Sequence, residues 1–142
     1  MAFQKMRTAG REVTDPVEIE RILLSNHVVR VGIYDGDEGY PYIVPLNYGF
    51  EYDPQAGKLT FYMHCAKAGR KLELIRKDNR VCFEIDSSWG LRQTELACQW
   101  GLNFDSVIGH GRIFIVPDEE DAEKKRGLDA MMRQHGRYHE LN

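Results

Sequence analysis

Large side chains fall on every second position through Tyr42, Val44, Leu46, Tyr48, Phe50 and Tyr52, while Pro45, Asn47, Gly49 and Glu51 take the alternate positions. A period of two puts the two sets on opposite faces of an extended chain, so this stretch is predicted to be the clearest strand. Apolar and β-branched residues from Val28 to Tyr34 predict a strand before it, joined through the hairpin-type loop Asp35-Gly36-Asp37-Glu38-Gly39. Asp53 to Gly57 reads as the next turn, and Leu59, Phe61 and Met63 alternate through a third strand. Val81, Phe83 and Ile85 predict a fourth strand. Beyond a loop at Asp86 to Gly90, the stretch from Glu95 to Trp100 predicts a fifth, and Val107 to Val116 a sixth.

The helical signals are of a different period. Asp15-Pro16-Val17-Glu18 starts a helix: Asp15 accepts from an orphan amide, Pro16 suits the first position and Glu18 completes a capping box. It is predicted to run to about Ser25, burying Ile19, Ile22 and Leu23 and ending at Asn26, which tolerates left-handed geometry. A short helix is predicted over about Gly69 to Lys77, with Leu72 and Ile75 inward and Asp78-Asn79 ending it. Asp118 caps a last helix whose first turn is acidic, whose apolar side is Ala122, Leu128, Met131 and Met132, and which Gly136 stops. Short connections between the early strands favour an antiparallel sheet, closure would remove its edges, and the missing crossover helices disfavour a doubly wound parallel fold.

Composition narrows the class. A chain of 142 residues with 42% hydrophobic and 29% charged residues fits one globular domain, 1–142. A net charge of −3 gives no basic footprint, so neither nucleic acid nor an anionic membrane is an expected partner. Residues from Met1 to Glu12 lack an apolar run for a signal peptide or membrane span, and a cytoplasmic location is the expectation. Cys65, Cys82 and Cys98 are too widely spaced for a disulfide framework or zinc site, and are predicted to be buried free thiols.

Chemistry concentrates in Phe61-Tyr62-Met63-His64-Cys65-Ala66-Lys67-Ala68-Gly69-Arg70-Lys71, where a strand passes through small residues into a helix start carrying adjacent cations. A helix start offers free amides and a partial positive charge, which attract anions. Arg70 and Lys71 there are opposed by the macrodipole at about 0.3–1 kcal/mol each, unless an anion compensates. A phosphate would compensate, the arginine as a fork and the lysine as a point charge. Spacing alone leaves this open against a second reading, in which Lys67, Arg70 and Lys71 are solvated surface charges.

The ordered set Tyr40-Pro41-Tyr42-Ile43-Val44-Pro45-Leu46-Asn47-Tyr48-Gly49, then Leu59-Thr60-Phe61-Tyr62-Met63-His64 and Gly69-Arg70-Lys71, resembles the pyridoxamine 5′-phosphate oxidase-related FMN-binding split barrels, in their nitroimidazole-resistance-like branch. Arg11-Glu12-Val13-Thr14-Asp15 resembles that branch's amino-terminal signature, and Ser106-Val107-Ile108-Gly109-His110-Gly111 with Glu123-Lys124 its late strand and helix; the likeness spans about residues 6 to 133. The resemblance implies a mainly β, α+β fold: a six-stranded-type antiparallel split β-barrel with flanking helices, working as a homodimer. It implies that Val44, Pro45, Leu46 and Asn47 border a flavin ring, that His64, Ala66, Gly69, Arg70 and Lys71 hold the ribityl phosphate, and that Ser106 approaches the flavin from the partner subunit. Members of the branch usually continue past the last helix into another strand, whereas this sequence ends at Asn142, so two expectations stand for barrel closure: another contact replaces the carboxyl end, or the chain is a shortened member with weakened or lost flavin affinity.

The remaining signals are weaker. His64 is assigned ligand positioning ahead of acid–base work. His135 and His139 have metal-ligand spacing but Gly136 between them and no third ligand, and are predicted to be surface residues; His27 and His110 default to structural roles. Gly109-His110-Gly111 lacks the last glycine of a dinucleotide signature and predicts a bulge or a close backbone approach. Trp89, Trp100 and Tyr138 suit a core or dimer interface better than stacking on a flavin or substrate, and for stacking Trp100 ranks above Trp89 because it lies nearer Ser106. No catalytic triad assembles, as expected where a cofactor carries the chemistry. The function expected is an FMN-dependent oxidoreductase, charged by a nicotinamide nucleotide or another donor and passing electrons to a small organic acceptor such as a nitroaromatic or quinone. The alternative is a flavin or haem module without turnover, with His64 or His110 as a haem ligand. A pyridoxamine 5′-phosphate oxidase proper is disfavoured because a second cationic cluster for the substrate's own phosphate is missing.

Overall fold

A computed structural model describes residues 6–141, with side chains through residue 136. Six strands and three α-helices follow in the order α1 (Pro16–Leu24), β1 (Val28–Ile33), β2 (Tyr42–Asn47), β3 (Gly49–Asp53), β4 (Lys58–Tyr62), α2 (Arg70–Lys77), β5 (Arg80–Arg92), β6 (Gly101–Arg112) and α3 (Asp121–Leu141). One sheet has the order β2-β1-β5-β6, and β3 pairs with β4 in a second. Every pairing is antiparallel.

The alternation in the sequence decides which side chains meet. Val29, Val31 and Ile33 of β1 stand opposite Leu46, Val44 and Tyr42 of β2, and all six point inward. Ile85 from β5, Leu74 and Ile75 from α2 and Leu23 from α1 complete this core, with Phe50, Leu59 and Phe61 of the second sheet packed on it. Each fully buried aliphatic side chain contributes about 1.5–3 kcal/mol, so this shared core, and not the strand edges, holds the two sheets together.

The run from Tyr42 to Tyr52 divides between two sheets at Tyr48. Its ring is 1% exposed and its hydroxyl donates to the Leu23 carbonyl at 2.5 Å. Alternation survives the crossing because it records facing, not partners. The predicted loop at Asp86 to Gly90 and the fifth strand at Glu95 to Trp100 are not observed. β5 continues to Arg92 with a bulge between Trp89 and Leu91, Ala97–Gln99 is a 3-10 turn, and β6 begins at Gly101 and ends at Arg112. In the outer part of this hairpin the apolar residues Leu102 and Phe104 alternate with Asn103 and Asp105 but face outward, so the apolar positions there do not mark the core.

The ends of α1 and α3 also differ from expectation. Asp15 caps α1 through the Val17 amide as predicted, but Glu18 turns to Arg21. Asn26 has no left-handed backbone; its side-chain amide donates to the Ile22 carbonyl. α3 starts at Asp121 and passes through Gly136, while Asp118 accepts from Lys124. Its buried face is Gly127, Ala130, Met131 and Gln134, leaving Ala122, Leu128 and Met132 exposed; the α3 backbone at Ala130 and Met131 comes so close to β3 that only a glycine fits at position 49. Gly109 makes room for the Phe83 ring rather than for another backbone. Cys65, Cys82 and Cys98 are exposed free thiols, not buried ones: Cys82 points outward from the sheet, and the other two lie in connections.

A polar lock fastens α3 to the second sheet. Glu51 accepts from Arg126 at 2.7 and 2.9 Å and from the Tyr62 hydroxyl at 2.7 Å. Arg126, then Tyr62, hold the Glu51 carboxyl down to about 2, against 4.5 for a free side chain. A depressed folded value stabilises the fold above the unfolded value and loses that stabilisation as pH falls from about 4.5 toward 2. The melting temperature of Glu51→Gln is therefore expected to lie below that of the wild type at pH 7, with a gap that narrows as pH falls below about 4.5 and closes only near pH 2; a constant gap would show that the lock does not act through ionisation.

Candidate functional site

β2 is an edge strand, and Pro45, which has no amide to give, sits there as the ladder requires. Of the four residues predicted along a flavin ring, Val44 and Leu46 face the core and offer only backbone, while Pro45 and Asn47 are exposed on the outer face of the sheet. The connection from β4 to α2 carries His64, Ala66 and Gly69, all exposed. It leaves β4 beside Gly49, near the Asn47 end of β2, because Gly49 pairs with Tyr62. It arrives at Arg70, which pairs with Asp35, two residues beyond the Ile33–Tyr42 pair at the other end of β2. Asn47 and Arg70 thus mark opposite ends of one strand about 17 Å long, while His64, predicted with the phosphate group, leaves β4 at the Asn47 end.

The start of α2 is built unlike that of α1. Gly69 precedes it with φ of 137°, a conformation that suits glycine, and a Cβ there would meet nothing within 4 Å. No side chain caps the helix, whereas Asp15 caps α1. The first amides of α2 thus have no side-chain cap, and Arg70 and Lys71 beside them are half-buried. Arg70 donates to Asp35, which raises the guanidinium pKa, and Lys71 has no ion-pair partner among the described residues. Uncapped amides, a guanidinium fork and an ammonium are the donor set that a phosphate monoester takes, so the residues present fit the phosphate end of a flavin nucleotide.

Ser106 does not join this group within one chain. It lies on the outer face of β6, opposite Asp86, and the order β2-β1-β5-β6 places it three strands from Asn47, roughly 14 Å at about 4.8 Å per strand. Between them Arg30 of β1 reaches Asp86 at 2.9 Å and Glu84 at 3.5 Å. An open depression of about 540 Å³ lies on the same face, lined by Arg30, Gly32, Ile43, Cys82, Glu84 and Ile108 among others. Ile43, Ile108, Phe104 and Trp89 are all more than half exposed there or on the adjoining hairpin. Trp100 is anchored through its indole to the Thr94 carbonyl at 2.7 Å; neither tryptophan joins the core of the chain.

His135 is not a surface residue: it is half-buried, edge-on to His27 with centroids 4.7 Å apart. His139 and Tyr138 lie outside the residues whose side chains are described. No cluster of three metal-ligating side chains occurs among the described residues, and none of their helices is long and apolar enough to cross a membrane. The residue that sequence reasoning missed is Asp35. Its only signal was its place directly after an apolar strand, and there a turn is the ordinary reading.

The two antiparallel sheets with their flanking helices define a split-barrel protein. The chain belongs to the pyridoxamine 5′-phosphate oxidase family, whose model matches residues 15–142. Among solved structures it is similar to a candidate 5-nitroimidazole antibiotic resistance protein of Bacteroides thetaiotaomicron VPI-5482, with 33% identity over 86% of this chain and 67% of that one, and a TM-score of 0.67. The flavocytochrome Anf3 of Azotobacter vinelandii shares the fold at 23% identity and TM-score 0.66, over 89% of this chain and 55% of its own. The FAD and heme binding protein of Mycobacterium smegmatis does so at 16% identity and TM-score 0.68, over 92% and 59%. The chain thus spans between 55% and 67% of the length of these three structures. A comparison with curated proteins finds no match.

Proposed function

We propose that the protein binds FMN and serves as an oxidoreductase, passing electrons from the reduced flavin to a small organic acceptor of the nitroaromatic or quinone kind. The observation that carries this reading is the uncapped start of α2 with Arg70 and Lys71 half-buried beside an exposed strand edge. Bound flavin would supply the electron transfer. This chain's residues bind and orient: Arg70, Lys71 and the amides after Gly69 take the phosphate, with His64 and Ala66 alongside, and Pro45, Asn47 and the β2 backbone flank the ring. Ser106, three strands away in the same sheet, fits a second copy's site, and the exposed apolar outer face suits a homodimer. A nicotinamide nucleotide is the proposed electron donor.

Titration of the purified protein with FMN, followed by flavin fluorescence, is expected to saturate at one equivalent per chain. Arg70→Ala is expected to weaken FMN binding by about 100-fold, in line with loss of a charge-assisted phosphate contact. The saturated protein should sediment at twice 16.5 kDa. Absence of any flavin binding would end the proposal, and a fully loaded monomer would remove the partner's role. Titration with FAD in parallel discriminates between the two flavins. The second reading, a haem module, draws on the exposed imidazole of His64 in the β4–α2 connection; a Soret band in place of flavin absorption would select it.

A further inference from the structure

Asp35 carries a charge in a place where charges are costly. It is 4% exposed, and burial by itself pushes its carboxyl pKa up; the hydrogen bond from Arg70 and the amide of Glu38 outweigh that and hold it below the usual aspartate value. Its two oxygens have separate tasks. Oδ1 accepts from the Glu38 amide at 3.1 Å, and its backbone carbonyl accepts from the Gly39 amide at 3.1 Å, which together fix the carboxylate in its own loop. Oδ2 is left for Arg70. The carboxylate is therefore a rigid acceptor whether or not the arginine is present. A second tie between this loop and α2, Lys77 to Asp37 at 2.6 Å, has both side chains more than 60% exposed and adds little.

Arg70 engages Asp35 through one terminal nitrogen, and its side chain is 35% exposed. A guanidinium has five N–H donors in one plane, so fixing one edge on a rigid acceptor fixes the direction of the other. Arg70 is the first residue of α2, whose start no side chain caps. We propose that Asp35 is a positioning residue that holds the Arg70 fork in the orientation needed to take the phosphate monoester at the start of α2. This rests on the flavin nucleotide reading given above and adds to it the source of discrimination between a phosphorylated and an unphosphorylated flavin.

An opposite role is physically available, since a carboxylate beside Arg70 also competes with a phosphate for it. The two roles differ in sign. Dissociation constants for FMN and riboflavin, measured by fluorescence quenching for wild type, Asp35→Asn, Arg70→Lys, Arg70→Ala and the Asp35→Asn/Arg70→Ala double variant, decide between them. Positioning predicts that Asp35→Asn lowers the preference for FMN over riboflavin by about tenfold, the effect outer partners have on anchoring groups elsewhere. Arg70→Lys, which keeps the charge and loses the fork, should lower it comparably, and the double variant should match Arg70→Ala, because Asp35 acts only through Arg70. A merely structural pin would change stability and leave the preference unmoved. An unchanged or increased preference in Asp35→Asn overturns the proposal, as does full preference in Arg70→Lys, which tests it even if Asp35→Asn does not fold. Wild-type protein that binds neither flavin, or both equally, would instead overturn the nucleotide reading itself.

Discussion

Gly49→Ala is expected to lower the unfolding free energy by about 3 kcal/mol, through a single added methyl group. A Cβ on Gly49 would stand 2.3 Å from the Met131 amide nitrogen, and 2.4 and 2.6 Å from the Ala130 carbonyl carbon and oxygen. These atoms are the backbone of α3, which cannot rotate aside as a side chain would, so the whole helix must retreat from β3. Retreat opens the contacts of Ala130 and Met131, 1% and 5% exposed, and stretches the Glu51–Arg126 lock. Urea unfolding of Gly49→Ala against Gly111→Ala, whose Cβ would meet nothing within 4 Å, isolates the effect. Equal midpoints would mean that α3 does not rest on β3 at this distance.

Gln134→Glu is expected to cost about 3 kcal/mol at pH 7.5 and to recover most of it near pH 4. The Gln134 amide donates to the carbonyls of Leu23 at 2.9 Å and Asn26 at 2.7 Å, closing the end of α1 from across the core. A glutamate of the same size, at a position 2% exposed, would aim a carboxylate at those carbonyl oxygens. Its folded pKa must then rise above the unfolded value of about 4.3. The penalty is absent below the unfolded value, grows as pH rises through the folded value and is complete above it. The melting temperature relative to wild type should thus improve on acidification, opposite to the trend expected for the Glu51 lock. A gap independent of pH would show that the side chain leaves the helix end and ionises in water.

Both effects come from contacts that the sequence did not announce. Gly49 was one of the small or polar residues on the back of an alternating strand, and Gln134 a polar residue on a helix whose apolar side was read as Ala122, Leu128, Met131 and Met132, of which Met131 is buried. The structure turns that helix toward Gly127, Ala130, Met131 and Gln134, with its backbone at Ala130 and Met131 against Gly49 and the Gln134 amide on the end of α1. In the candidate site the start of α2 after Gly69, with the cations Arg70 and Lys71 on its first turn, was legible from local spacing, and their proposed role rests on the opposition between cations and the macrodipole. Asp35 was not legible, being 35 residues away in sequence and ordinary for a turn.

The residues by themselves determined the strands that alternate, the start of α1 at its Asp15 cap, the extent of α2 and the likeness to a flavin-binding barrel family, because each is recorded in local spacing or in an ordered set of motifs. Only the tertiary structure decided that one alternating run serves two sheets, that β5 and β6 extend as a hairpin beyond the core, that α3 lies on Gly49, and that Arg70 is held by a buried carboxylate. Periodicity states which face of an element is apolar; which element covers that face, how closely, and which distant charge meets which depend on contacts between residues far apart in the chain.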